Sequence, residues 1–287
     1  MVKKIKLYNN FKISKLHKKS ILLIGNFDGL HLGHQKLFKL AEQFKKKNKI
    51  KLGVLTFDPM PKMFFNKYLK NYRILNLNQK IKYFKNYNVD FIIVKKFNKQ
   101  FSRIKCLNFI DQVLCKKLNA KYIFVSNNFR FGNKREGDVK LLKSLEKKYQ
   151  YKIINPKPLK KENKIISSTL IRKLLSTGNL IKANKYLNRN WSIEGLVQKG
   201  RKMGKKIGFP TCNVELQKYV IPKLGVYAVK IYIEKRKTFL RGIANLGYRP
   251  TFNQKKILLE VNIFNFSGNL YKKKLRVDFV RFIRKEK

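Results

Sequence analysis

The chain has 287 residues, 44% of them hydrophobic, and 69 lysines and arginines against 15 acids give a formal net charge of +54. Length and apolar content allow one large or two ordinary domains and exclude a disordered chain. So basic a balance points first to a polyanionic partner, but the cations run the whole length beside many Asn, Ile, Phe and Tyr residues, the mark of AT-biased coding and a solvated surface, so no specific nucleic-acid partner is expected.

The opening "MVKKIKLYNNFKISKLHKK" lacks the apolar core of a secretory signal and reads as part of the fold. From residue 20 to about 188, short apolar runs alternate with helical patterns. "ILLIGNFDG" reads as a buried strand and turn, after which Leu37, Leu40, Ala41 and Phe44 fall at helical spacing. "KLGVLTFDP", "VDFIIVKKF" and "KYIFVSNNF" are further strands separated by helix-length segments. Repeated strand–helix units predict a mostly parallel sheet whose ligand lies beyond the carboxyl ends of the strands. "ISSTLIRKLLSTGNLIKANKYLN" reads as a polar cap followed by one or two helices. After Trp191 the period becomes two: Tyr227, Val229, Ile231 and Ile233 share one face, as do Ile257, Leu259, Val261 and Ile263, which predicts an antiparallel barrel or sandwich. The boundary falls near "LNRNWSIEG", giving domains over residues 1–188 and 189–287, with no internal repeat.

Cys106, Cys115 and Cys212 form no CxxC pair, and only His17, His31 and His34 could join them, so no structural zinc is expected. An odd cysteine count without a signal peptide fits a reducing cytosol, and no apolar run approaches the ~20 residues of a bilayer span, so a cytoplasmic protein without a membrane partner is expected. Nothing in the sequence sets an oligomeric state.

The segment "GNFDGLHLGHQ" holds two of the three histidines. On a helix starting near His31, His31 and His34 both face the mouth of the first strand–helix turn, where backbone NH groups favour an anion. Gly29 and Gly33 let a ligand approach the backbone. The pattern suits a phosphate-bearing nucleotide, with the imidazoles donating hydrogen bonds to oxygens that gain charge as an α-phosphorus is attacked. The alternative is a turn whose histidines merely cap the helix.

The segment resembles the nucleotidyltransferase superfamily that carries an HxGH motif, and "ISSTLIR" matches that family's second motif. The resemblance implies that Gly25, Asn26, Phe27, Asp28, Gly29 and Gly33 bind ATP together with Ser167, Ser168 and Thr169, while Arg172 neutralises the departing pyrophosphate. "TFDPMP" and "VSNNFRFGNKREGD" look like its flavin-nucleotide branch, with Ser126 where a glycine is usual, and imply flavin binding by Phe57, Asn128 and Phe129.

"GLVQKGRKMGKKIGFPTCN" is not a Walker A loop, because Gly200 and Gly204 are one residue too close and Lys206 stands where Ser or Thr is needed. Gly200, Gly204 and Gly208 could still wrap phosphates, with Thr211 and Asn213 as hard oxygen ligands for Mg²⁺. A glycine-rich hairpin is the alternative. This segment with "GVYAV", "GIANLGYRPTF" and "LEVNIFNFSGNLYK" resembles riboflavin kinase. That resemblance implies ATP at Pro210, Thr211, Asn213 and the loop glycines, flavin at Arg249, and Glu260 as the base that deprotonates the terminal ribityl hydroxyl.

In this order the two resemblances cover nearly the whole chain and are similar to the bacterial bifunctional riboflavin kinase/FMN adenylyltransferase family. They imply a Rossmann-like nucleotidyltransferase domain followed by a kinase β-barrel, making FMN from riboflavin and ATP and then FAD and pyrophosphate from FMN and ATP, with Mg²⁺. Asn265 and Asn269 replace acids, Lys205 replaces arginine, and the family's helical tail after "IRKE" is expected to be shortened. Two other readings compete: FMN adenylylation alone over a decayed barrel, and a basic RNA-binding protein on the same fold.

Overall fold

The computed structural model describes residues 5–198, 211–234, 236, 238–251 and 254–286, of which 249–251 and 254–256 are described by backbone only. The chain divides into two compact units, residues 1–70 with 77–166, and residues 71–76 with 167–287.

In the first unit β1 (Lys6–Tyr8) and β2 (Ile21–Ile24) lead to α1 (Leu32–Asn48), β3 (Leu52–Asp58), α2 (Pro61–Phe65), α3 (Leu77–Phe84) and β4 (Phe91–Lys96). Short helices α4 (Lys99–Ser102) and α5 (Cys106–Asn108) and a π-helical segment, Phe109–Lys117, precede β5 (Tyr122–Phe124). Then come α6 (Val139–Ser144), α7 (Glu146–Tyr149), β6 (Lys152–Ile154) and a small hairpin of β7 (Lys160–Lys161) and β8 (Lys164–Ile165).

Strands β1 to β6 form a six-stranded sheet in the order β1-β4-β3-β2-β5-β6, all neighbours parallel. Strand β2 is buried along its whole length, as a parallel strand covered on both faces must be. Each such Leu or Ile contributes about 1.5–3 kcal/mol of burial. On α1, Leu37, Phe38 and Ala41 are buried, with Leu40 and Phe44 half-buried at the edge of the same stripe. The chain runs outward from β2 through β3 to β4 and then returns to place β5 on the other side of β2. That reversal opens a crevice at the carboxyl ends of β2 and β5, where doubly wound sheets hold their ligands.

The second unit opens with α8 (Ser168–Ser176) and α9 (Leu180–Leu187), capped by Ser167 and Asn179, whose side chains accept from the Leu170 and Lys182 amides. Six strands follow: β9 (Trp191–Gln198), β10 (Thr211–Val214), β11 (Gly225–Ile233), β12 (Leu240–Thr251), β13 (Gln254–Ile263) and β14 (Lys274–Arg284). They close into an antiparallel barrel in the order β10-β13-β12-β11-β14-β9, which resolves barrel against sandwich. Its interior takes the period-two residues: Tyr227, Val229, Ile231, Leu259, Val261 and Ile263 are buried, and Trp191 packs on Phe279 with ring centroids 4.9 Å apart.

Candidate active sites

In the first unit the site is built on the loop joining β2 to α1. Left-handed φ angles at Phe27, Gly29 and Leu30 (46°, 80° and 37°) fold it tightly. His31 is the N-cap residue of α1, yet its side chain makes no capping hydrogen bond. Its ring stacks on His34 instead, with centroids 3.7 Å apart and planes at 23°, and Phe27 packs edge-on against His34 at 5.4 Å. The backbone of Gly33 lies so close that a Cβ there would sit 3.2 Å from both the His31 ring and the Ile166 carbonyl oxygen, just before Ser167 in the chain. Gly25 is similarly confined by the Phe27 ring, 3.1 Å from where its Cβ would be. Asp28 and His31 are buried, and the buried Asn26 Oδ1 accepts no hydrogen bond. Two nearly parallel imidazoles at a helix start, beside main chain kept bare of side chains, can direct N–H groups at one anionic oxygen cluster.

One group here is not legible in the sequence. Lys80 of α3 is almost fully buried, and its Nζ donates to the Asn26 carbonyl at 3.3 Å, beneath the loop. A buried lysine must be held by hydrogen bonds or opposite charge, and one of the bonds that hold this one reaches the loop leading to His31.

The expected flavin residues lie at the same edge of the sheet, after β3 and β5. Phe57, near the end of β3, is largely buried against Phe97 and Phe101 at 6.1 and 5.8 Å, and the Asp58–Pro59 peptide that follows is cis. Asn128 Oδ1 accepts from the Ser126 hydroxyl at 2.9 Å, and Phe129 stacks on Phe131 at 5.6 Å. The loops after β2, β3 and β5 thus share one rim of the first unit.

Of the ISSTLIR residues, Ser167 to Arg172 belong to the second unit. Ser167 caps α8, with its Oγ accepting from the Leu170 amide at 3.2 Å, while Ser168 and Thr169 occupy the first turn. The Arg172 guanidinium lies 3.7 Å above the Tyr72 ring, and its Nε donates to the Tyr72 carbonyl at 2.9 Å. This fixes the plane of a group suited to bidentate phosphate contacts.

The barrel offers a second candidate site on the face of its wall opposite the apolar interior. Register sets Asn213 beside Glu260 and Glu260 beside Asn245, while Thr211 pairs with Asn262 and Asn262 with Ile243. Thr211, Asn245, Glu260 and Asn262 line a cleft of about 320 Å³ that Glu286 also borders. Cys212, between Thr211 and Asn213, points the other way, and burial pushes its thiol up to about 11, so it stays protonated near neutral pH. Thr211 and Asn213 offer a hydroxyl and an amide oxygen on the same side of β10 as Glu260, a hard-oxygen set that fits Mg²⁺ carried in with nucleotide phosphates. Among the described residues no group of three or more His, Cys, Asp and Glu is gathered as a metal cluster. The expected Gly200, Gly204, Gly208 and Pro210 lie outside the described residues, and of Arg249 only the backbone is described, paired with Lys256.

A doubly wound sheet with an HxGH loop at its strand-order reversal, joined to a closed barrel bearing an acid–amide row, defines a two-module nucleotide-dependent transferase. The FAD synthetase family model matches residues 13–170 and the riboflavin kinase family model residues 187–287. A bifunctional riboflavin kinase/FMN adenylyltransferase of Buchnera aphidicola subsp. Schizaphis graminum is 42% identical over 277 residues, 96% of this chain and 88% of that protein. A protein of the same name from Escherichia coli K12 is 35% identical over 266 residues, 93% of this chain and 85% of that protein. A crystal structure described as a macrolide-efflux protein from Streptococcus pneumoniae superposes with a TM-score of 0.85 at 30% identity, covering 98% of this chain and 91% of that one. The chain belongs to the bifunctional riboflavin kinase/FMN adenylyltransferase family. Efflux is the description of that one protein; among the described residues here no helix is long and apolar enough to cross a membrane.

Proposed function

We propose that this chain makes both flavin cofactors in succession: the module over residues 189–287 transfers the γ-phosphoryl group of ATP to riboflavin, and the module over residues 1–188 joins the resulting FMN to the AMP moiety of a second ATP. The observation that carries this reading is the pairing, in one chain, of the HLGH loop at the sheet's reversal point with the Asn213–Glu260–Asn245 row on the barrel.

In adenylylation an FMN phosphate oxygen attacks the α-phosphorus of ATP and pyrophosphate leaves. His31 and His34 donate hydrogen bonds to the oxygens that gain charge, while Ser167, Ser168 and Thr169 with the α8 amides take the phosphates and Arg172 neutralises the leaving group. Gly25 to Gly29 and Gly33 admit the nucleotide to the backbone, and Phe57, Asn128 and Phe129 receive the flavin. In the kinase step Glu260 accepts the proton of the terminal ribityl hydroxyl as that oxygen attacks the γ-phosphorus and ADP leaves. Gly200, Gly204, Gly208 and Pro210 contribute to the phosphate loop, and Arg249 contacts the flavin. Thr211 and Asn213 would hold Mg²⁺, which supplies charge neutralisation on the β- and γ-phosphates. A cytoplasmic setting belongs to the same reading.

Incubating purified protein with riboflavin, ATP and Mg²⁺ and separating the flavins tests it. FMN followed by FAD is the expected outcome. FAD formed only when FMN is supplied would reduce the chain to the adenylyltransferase, and neither product, with RNA binding that survives physiological salt, would favour a binding protein.

A further inference from the structure

The kinase cleft has a second carboxylate. Glu286 follows the end of β14 and returns to the barrel wall, where Asn245 Nδ2 donates to its Oε1 at 2.8 Å. It is seated over bare main chain: a Cβ on Gly247 would lie 2.2 and 2.3 Å from the two carboxylate oxygens. Asn245 and Gly247 are two residues apart on β12, so they share the face that Glu260 occupies on the neighbouring strand. The Asn245 amide turns its NH₂ group to Glu286 although this leaves its buried Oδ1 with no donor, so the carboxylate sets the orientation of the pair. Glu260 and Glu286 therefore border one cleft on either side of Asn245, with Arg284 as the other charged group of its lining.

Two acceptor-only groups on one part of the cleft suit a ligand segment that brings hydroxyl donors. We propose that Glu286 determines specificity in the kinase cleft by accepting hydrogen bonds from the hydroxyls of the flavin's neutral polyol chain, with Asn245 and the bare Gly247 main chain holding its carboxylate in place. The proposal rests on the kinase reading and adds to it a residue that discriminates the polyol from the ring system. Glu260 handles the hydroxyl that reacts; Glu286 reads the others.

Steady-state kinase kinetics of the full chain, with lumiflavin as competitor, tests this, because lumiflavin has the same ring system and a methyl group in place of the polyol. Glu286→Ala should raise the KM for riboflavin about 10-fold, the scale of a lost hydrogen bond to a charged group, with kcat within about 3-fold and lumiflavin inhibition unchanged. Glu286→Gln keeps one oxygen acceptor but loses the charge, and its riboflavin KM should lie between those of the unaltered chain and Glu286→Ala, again with lumiflavin inhibition unchanged. Gly247→Ala should displace the flexible carboxylate and raise the riboflavin KM in the same way. An unchanged riboflavin KM in Glu286→Ala, or an equal loss of riboflavin and lumiflavin affinity, would overturn the assignment. Failure of the unaltered chain to form FMN would instead overturn the kinase reading itself.

Discussion

Gly33→Ala tests how closely the first site is built. The added methyl would lie 3.2 Å from Cε1 and Nδ1 of His31 and 3.2 Å from the Ile166 carbonyl oxygen. Carbon contacts relax at about 3.5–4.0 Å, so the His31 ring must shift by roughly 0.3–0.8 Å. Its stack on His34 is 3.7 Å deep, and the shift passes to the second imidazole. Gly33 lies in the first turn of α1, so its own φ/ψ accepts alanine, while the Ile166 carbonyl oxygen leaves the methyl little room to turn away from the ring. The penalty should therefore fall on chemistry: a displacement of this size is expected to slow FAD formation from FMN about 10- to 100-fold, or about 1.4–2.7 kcal/mol of transition-state stabilisation. Flavin separation after timed incubation with FMN, ATP and Mg²⁺ measures it, and FMN formation from riboflavin by the same preparation should be unchanged. Undiminished FAD formation, or equal loss of both activities in a folded protein, would show that the placement of the His31 ring against Gly33 does not govern adenylylation.

His31→Ala and His34→Ala should each remove about 2–4 kcal/mol of transition-state stabilisation from adenylylation while kinase turnover continues, as parallel assays of the two half-reactions will show. Glu260→Gln should leave ATP and riboflavin binding nearly intact and lower kinase turnover about 10²- to 10⁴-fold, read by titration beside steady-state rates. The Cys212 thiol, pushed up to about 11 by burial, should alkylate slowly at pH 8 in the folded chain and about tenfold faster per pH unit until near its pKa, measured by mass spectrometry after timed iodoacetamide treatment. Because folding raises this acid's pKa above its ordinary value, the folded state binds the proton more tightly, and the Cys212 contribution to stability should fall as pH rises from about 8.5 toward 11.

What the sequence discloses is what is local. Strand β2 and helix α1 were readable because a short apolar run and a 3.6-residue period carry their own signatures, and Glu260 because period two puts it opposite Leu259 and Val261. Strands β1 and β6, at the two edges of the sheet, have three residues each, too few for a period to show. Lys80 is hidden by composition: in a chain so rich in lysine, nothing in the sequence marks the buried one. The Asn245–Glu286 bond depends on where the chain past β14 returns to β12, a long-range pairing that no local pattern encodes. Phe57 shows the converse limit, since its sequence context fits equally a flavin contact and the packing it makes with Phe97 and Phe101.

Two chemically distinct transfers by one chain leave different phosphorus atoms of ATP in the two flavin products. Unlabelled riboflavin is incubated with the protein, Mg²⁺ and ATP labelled at either the α- or the γ-position, and the flavins are separated. The γ-label should enter FMN and persist in FAD, whereas the α-label should bypass FMN and appear only in FAD; γ-label absent from FMN, or α-label absent from FAD, would rule out two transfers by this chain.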